Sequence, residues 1–192
     1  MNAAGRILRV FSSALAALAV AASGAAAEPN RDPLPHADRA DAAGSPLDLR
    51  AVSFGQRGTQ LVMRITTVGE WEPAQLSDGG QALCIELYYG NLPTPRSRVC
   101  TFDAGEGEAG LRYARLDPFG GTVFTRIVPA GVSRPDKRSV DAVFDPSAVN
   151  LGQGRYSWQA LSRWSCEPAG ACDDRSPDNG NVIAQILSLI HI

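Results

Sequence analysis

The chain reads as an all-β protein, an antiparallel β-sandwich of about eight to nine short strands, stapled by disulfides. Three observations predict it. Apolar and polar residues alternate with period two in a series of short runs. Turn-forming residues punctuate those runs, as in Asp78-Gly79-Gly80, Gly90-Asn91, Pro93-Thr94-Pro95, Gly120-Gly121 and Gly152-Gln153-Gly154. Nowhere does a helical period persist, so there is no βα alternation to build a parallel sheet. A closed barrel is the alternative architecture.

Leu47 to Phe54 alternates imperfectly, and Gly55-Gln56-Arg57-Gly58 makes a turn. Leu61, Met63, Ile65 and Thr67 then share one face while Val62, Arg64, Thr66 and Val68 take the other, which predicts a hairpin. Further strands are expected at Ala82–Tyr89, Ser97–Phe102, Leu111–Leu116 and Thr122–Val128. In Ser139–Phe144, Val140, Ala142 and Phe144 should face inward, and Arg155–Trp164 puts Tyr156, Trp158, Ala160 and Trp164 on one side, with most of its polar residues on the other. Asp145-Pro146-Ser147-Ala148-Val149 suits one short helical turn, with Asp145 as its cap and proline at the first position.

Four segments organise the 192 residues: a secretory signal over 1–27, a flexible lead-in over 28–46, the sandwich over 47–186, and a suspect tail over 187–192. Arg6 and Arg9 precede an apolar run from Val10 to Ala22, and Ala25-Ala26-Ala27 offers the small residues that a signal peptidase reads. Cleavage is expected after Ala27. The alternative, an uncleaved anchor, meets the objection that the run is too short for about 30 Å of hydrocarbon. No cysteine follows the site to carry a lipid. The expected location is secreted, outside the cytoplasm, with no transmembrane segment after cleavage. The lead-in is rich in Pro, Asp, Ala and Gly. The tail, Leu187-Ser188-Leu189-Ile190-His191-Ile192, reads as the translated start of a sequencing adapter, the alternative being a terminal strand.

Loss of Arg6 and Arg9 from 18 basic residues leaves 16 against 20 acidic ones, a net charge of −4. With a pI near 5.7 and no basic stripe, nucleic acid is excluded as a partner. The cysteines are 84, 100, 166 and 172. An even count in an exported chain predicts two disulfides. The expected pairs are Cys84–Cys100, across neighbouring strands, and Cys166–Cys172, around Glu167-Pro168-Ala169-Gly170-Ala171. Closing a loop of the first kind is worth about 3 kcal/mol. A zinc site would need paired short spacings that are absent here.

Asp41-Ala42-Ala43-Gly44-Ser45-Pro46-Leu47-Asp48-Leu49-Arg50-Ala51-Val52, followed by a glycine turn, an alternating strand and Trp71, resembles the opening of extracellular DOMON-like domains and family 9 carbohydrate-binding modules. Gly154-Arg155-Tyr156-Ser157-Trp158 is similar in style to a late strand of those domains. The resemblance implies an antiparallel sandwich that binds sugars or, in some relatives, haem. The chain departs from the haem binders: Met63 lies mid-strand, His36 lies in the lead-in, and no His or Met pair is placed as axial ligands.

The chemistry that the residues allow is narrow. Outside the signal and the tail, His36 is the one histidine, and a Ser-His-Asp or Cys-His site needs an imidazole held rigidly against its nucleophile. No G-x-S-x-G, H-E-x-x-H or phosphate-cradling loop occurs. Glu86, inside an apolar strand, is the candidate acid of a carboxylate-dependent hydrolase; the alternative is a solvent-facing residue paired with Arg98 across strands. Trp71, Tyr89 and Trp164 are the candidate ligand-binding aromatics, each weighed against a place in the core. Trp71, flanked by acids, is the one expected at a loop rim. Asp173, Asp174 and Asp178, beside Asn179-Gly180, are the candidate calcium ligands, with Asp41 and Asp48 as weaker ones. The expected function is a secreted, non-catalytic binding module for carbohydrate or a cell-envelope polymer. The alternatives are a cell-surface structural or protein-interaction domain, then a hydrolase. No cofactor other than calcium is expected.

Overall fold

The computed structural model describes residues 32–42, 44–76, 81–90, 92–166 and 170–187. The signal segment over 1–27 and residues 188–192 of the tail lie outside them. Two antiparallel sheets face each other, as the alternation requires. The first contains β1 (His36–Ala37), β2 (Leu49–Arg57), β3 (Gln60–Thr67), β8 (Ala130–Ser133) and β9 (Ser139–Phe144), ordered β1-β2-β3-β9-β8. The second contains β4 (Ala82–Tyr88), β5 (Ser97–Gly105), β6 (Glu108–Leu116), β7 (Thr122–Ile127), β10 (Gly154–Cys166), β11 (Gly170–Ser176) and β12 (Val182–Ile186). Its order is β11-β10-β4-β5-β6-β7, and β12 also pairs with β10.

The alternation written in the sequence sets the core. Leu61, Met63 and Ile65 of β3, Val140, Ala142 and Phe144 of β9, and Tyr156, Trp158 and Ala160 of β10 are all buried. Phe54 reaches across from β2 to meet Tyr156 and Trp158 edge-on, with both centroid distances 6.0 Å. The β2–β3 hairpin turns at Gly58-Thr59, where Gly58 takes φ 59°, open to glycine without steric cost. Asp145 caps a short 3-10 turn over Pro146–Val149, its carboxylate accepting from the Ser147 amide at 2.7 Å.

Cys84 and Cys100 stand opposite each other on β4 and β5 and are disulfide-bonded. Cys172 is disulfide-bonded as well. The side chain of its expected partner, Cys166, lies outside the described residues.

Two expectations about boundaries need correction. The lead-in carries structure of its own: β1 pairs with β2 at His36↔Val52, and the Asp38 amide continues the ladder to the Arg50 carbonyl at 2.9 Å. His36 packs edge-on against Trp158 at 5.4 Å instead of standing free in solvent. The sheets also hold more strands than expected, because β1, β8, β11 and β12 are short or polar and show little hydrophobic alternation. β10 explains two of them. It is 13 residues long, and its edge is shared by β12 along Gly154–Trp158 and β11 along Ala160–Cys166. Gln159 sits at the gap, its amide nitrogen donating to the carbonyls of Pro177 and Gly180 at 2.8 and 3.3 Å.

Candidate functional site

Strand alternation sorts the polar residues of β11. Asp173 and Arg175 share one face and Asp174 points the other way. On the outer face, Arg163 of β10 donates twice to Asp173, at 2.7 and 2.8 Å. Beside it lies Glu86 of β4, only 1% exposed. Glu86 accepts from Arg98 at 2.6 Å, from Arg175, and from the Tyr88 hydroxyl at 3.2 Å. The expected Glu86–Arg98 pair is therefore present, but Glu86 does not face solvent, because Arg175 and Tyr88 close over it. Burial, with the Glu86 charge beside it, pushes the Tyr88 phenol up.

On the inner face, Asp174 meets the edge of the other sheet. It is 6% exposed, and its Oδ2 accepts from the Leu49 amide at 2.6 Å. Four more carboxylates converge there. Asp38, Asp174 and Asp178 bring one oxygen each within 4.8 Å of one another, and so do Asp41, Asp48 and Asp174. Asp48, 4% exposed, stands at the mouth of β2, at the end of a turn in which Ser45 accepts from the Leu47 amide at 3.1 Å. That turn packs on Gly69 so closely that a Cβ at Gly69 would sit 2.7 Å from the Pro46 Cα. The Val68 amide donates to the Asp48 carbonyl at 2.7 Å, which fixes the backbone that aims the carboxylate.

The electrostatics follow from this crowding. Burial, then the neighbouring Asp174 and Asp178, raises Asp38 from 3.8 to about 7. Burial, then Asp48 and Asp41, raises Asp174 from 3.8 to about 6, against the lowering effect of the Leu49 amide. Asp38 Oδ2 and Asp48 Oδ1 are both buried without a hydrogen-bond partner. An all-oxygen donor set of this kind suits a hard divalent cation and not zinc.

The expected calcium ligands are thus divided. Asp174 and Asp178 belong to the cluster; Asp173 does not, because alternation turns it outward onto Arg163. Asp41 and Asp48 belong, and Asp38 was missed because it lies in the segment read as a flexible lead-in.

The aromatic candidates do not assemble into one surface. Trp71 is 1% exposed, not at a rim. Its amide donates to the Lys137 carbonyl at 3.0 Å, and Arg134 covers its ring at 4.1 Å. Tyr89 and Trp164 are partly buried and pack against the core, with the Tyr89 hydroxyl 3.0 Å from Ser97 Oγ.

The exposed apolar surface lies elsewhere. In β7 both alternating sets of side chains are open to solvent, including Val123, Phe124 and Ile127. Phe119, in the turn before it, is 97% exposed. Among the described residues β7 ends its sheet, and no strand pairs with its outer side. Ile127 also lines an open cleft of about 430 Å³ with Phe102, Pro129 and Val132. Among the described residues no helix is long and apolar enough to cross a membrane. Comparison with protein-family models, with curated proteins and with solved structures finds no match.

Proposed function

We propose that the chain is a non-catalytic binding module that works outside the cytoplasm and takes up an extended strand of a partner protein along β7. The observation that carries this reading is an edge strand whose apolar side chains are exposed on both faces. Natural edge strands are blunted by lysine, proline, bulges or a covering loop. Thr122-Val123-Phe124-Thr125-Arg126-Ile127 contains neither lysine nor proline, and although a bulge at Val123 interrupts the pairing with β6, Phe124–Ile127 pair in regular register. Such an edge offers a ladder of main-chain groups for affinity and apolar positions for selectivity. Export is supported by the signal-like start and by the disulfides. The non-catalytic reading is supported by His36, engaged with Trp158, and by Glu86, whose carboxylate is occupied by three donors. A carbohydrate ligand has less beneath it, since Trp71 is buried and Tyr89 and Trp164 pack against the core.

An array of extended apolar decapeptides, probed with the chain from residue 28, tests the reading. Binding should slow hydrogen exchange in β7 and be lost in Phe124→Lys and Ile127→Lys. Equal binding by both variants, or protection confined to other strands, would overturn it, as would glycan binding that ignores these substitutions.

A further inference from the structure

We propose that Asp41, Asp48 and Asp174 hold a calcium ion that ties the mouth of β2 in one sheet to β11 of the other, with Asp38 and Asp178 as a second acidic group adjoining Asp174. The cluster alone would not carry this. The second observation is Asp48 itself, nine-tenths and more buried, its carboxylate reaching within 4.8 Å of Asp41 and Asp174 while its Oδ1 is buried without a hydrogen-bond partner. A buried acceptor left unpaired is costly, and a buried charge facing like charges more so, unless something positive stands between them.

The geometry fits calcium. With oxygens about 2.4 Å from the ion, two ligands of one ion lie at most about 5 Å apart. The triad of Asp41, Asp48 and Asp174 meets that limit at 4.8 Å, and Asp174 belongs as well to the neighbouring triad with Asp38 and Asp178. No His or Cys belongs to either triad, which disfavours softer metals. Ligands drawn from the segment after β1, the mouth of β2 and β11 can adopt the irregular geometry that calcium tolerates and that magnesium, with its strict octahedron, does not. The cation joins elements distant in sequence, and one of its anchors, the Asp174–Leu49 hydrogen bond, already spans the two sheets.

The test is thermal unfolding of the chain from residue 28, after chelation, with calcium titrated from about 10 μM to about 10 mM, the range of extracellular calcium modules and below. The melting temperature should rise with calcium, by about 8 °C at a hundredfold excess over the dissociation constant. Magnesium should give a much smaller rise. Asp48→Asn, which keeps the shape and removes the charge, should lose most of the calcium response, whereas Asp173→Asn should keep it. Equilibrium dialysis of the wild-type chain with calcium gives a second reading that needs no variant to fold. No calcium-dependent rise and no bound calcium would overturn the proposal, as would a response unchanged in Asp48→Asn or lost equally in Asp173→Asn.

Discussion

Two buried acidic centres lie on opposite faces of the same sheet, and they are solved in opposite ways. Glu86 is surrounded by Arg98, Arg175 and Tyr88, so its charge is matched from within the chain. Asp174, next to Arg175 in sequence, faces Asp38, Asp41, Asp48 and Asp178. One step along a strand separates a carboxylate network that is complete from one that is not. A buried charge is tolerable when its partners come with the fold; when they do not, the fold has left room for a partner from outside.

The largest effect is expected at the complete network. Glu86→Gln leaves two guanidiniums facing each other and should lower stability by about 3 kcal/mol, at the low end for a buried pair because both arginines reach water. Urea denaturation measures it. Cys84→Ala with Cys100→Ala, beside that network, should cost about 3 kcal/mol by the same measurement.

The incomplete side should respond with the opposite sign. Without calcium at pH 8, Asp38→Asn removes a charge from the cluster and should stabilise the chain, by at most about 1 kcal/mol once solvent screening is allowed for. The pH dependence follows. A carboxyl whose pKa is higher in the folded chain than in the unfolded one stabilises the fold where it is protonated, and that stability is lost as pH rises. Asp38 at about 7 and Asp174 at about 6, both from 3.8, place the loss in the calcium-free chain between about pH 4 and about pH 7. The groups facing them are Asp41, Asp48 and Asp178, with the Leu49 amide on Asp174. Saturating calcium should flatten the slope, as should Asp38→Asn combined with Asp174→Asn, in melts across that range. The smallest effect belongs to the exposed edge: Ile127→Lys should change stability by no more than about 0.5 kcal/mol, so any loss of peptide binding would report on the surface alone.

Much of the fold could be read from residues alone, because the alternating apolar residues of β3, β9 and β10 are the ones that enter the core, even where their neighbours are buried too, and Asp145-Pro146 writes its own cap. The site was legible only in fragments. Asp174, Asp178, Asp41 and Asp48 stand out as acids in turn-rich stretches, but nothing local reveals that positions more than a hundred residues apart meet across two sheets. Asp38 was hidden by composition, since a Pro- and Ala-rich segment gives no period even when two of its residues pair as a strand. Asp173 was misplaced for the converse reason: adjacency in sequence is opposition in a strand. Trp71 looked exposed from its acidic neighbours, yet Arg134 covers it.

The most direct test is diffraction from crystals of the chain grown with calcium and measured at a wavelength where calcium scatters anomalously. The account predicts a peak about 2.4 Å from Asp48 Oδ1 and from an Asp174 oxygen. An empty cluster whose carboxyls instead share protons in hydrogen-bonded pairs would contradict it.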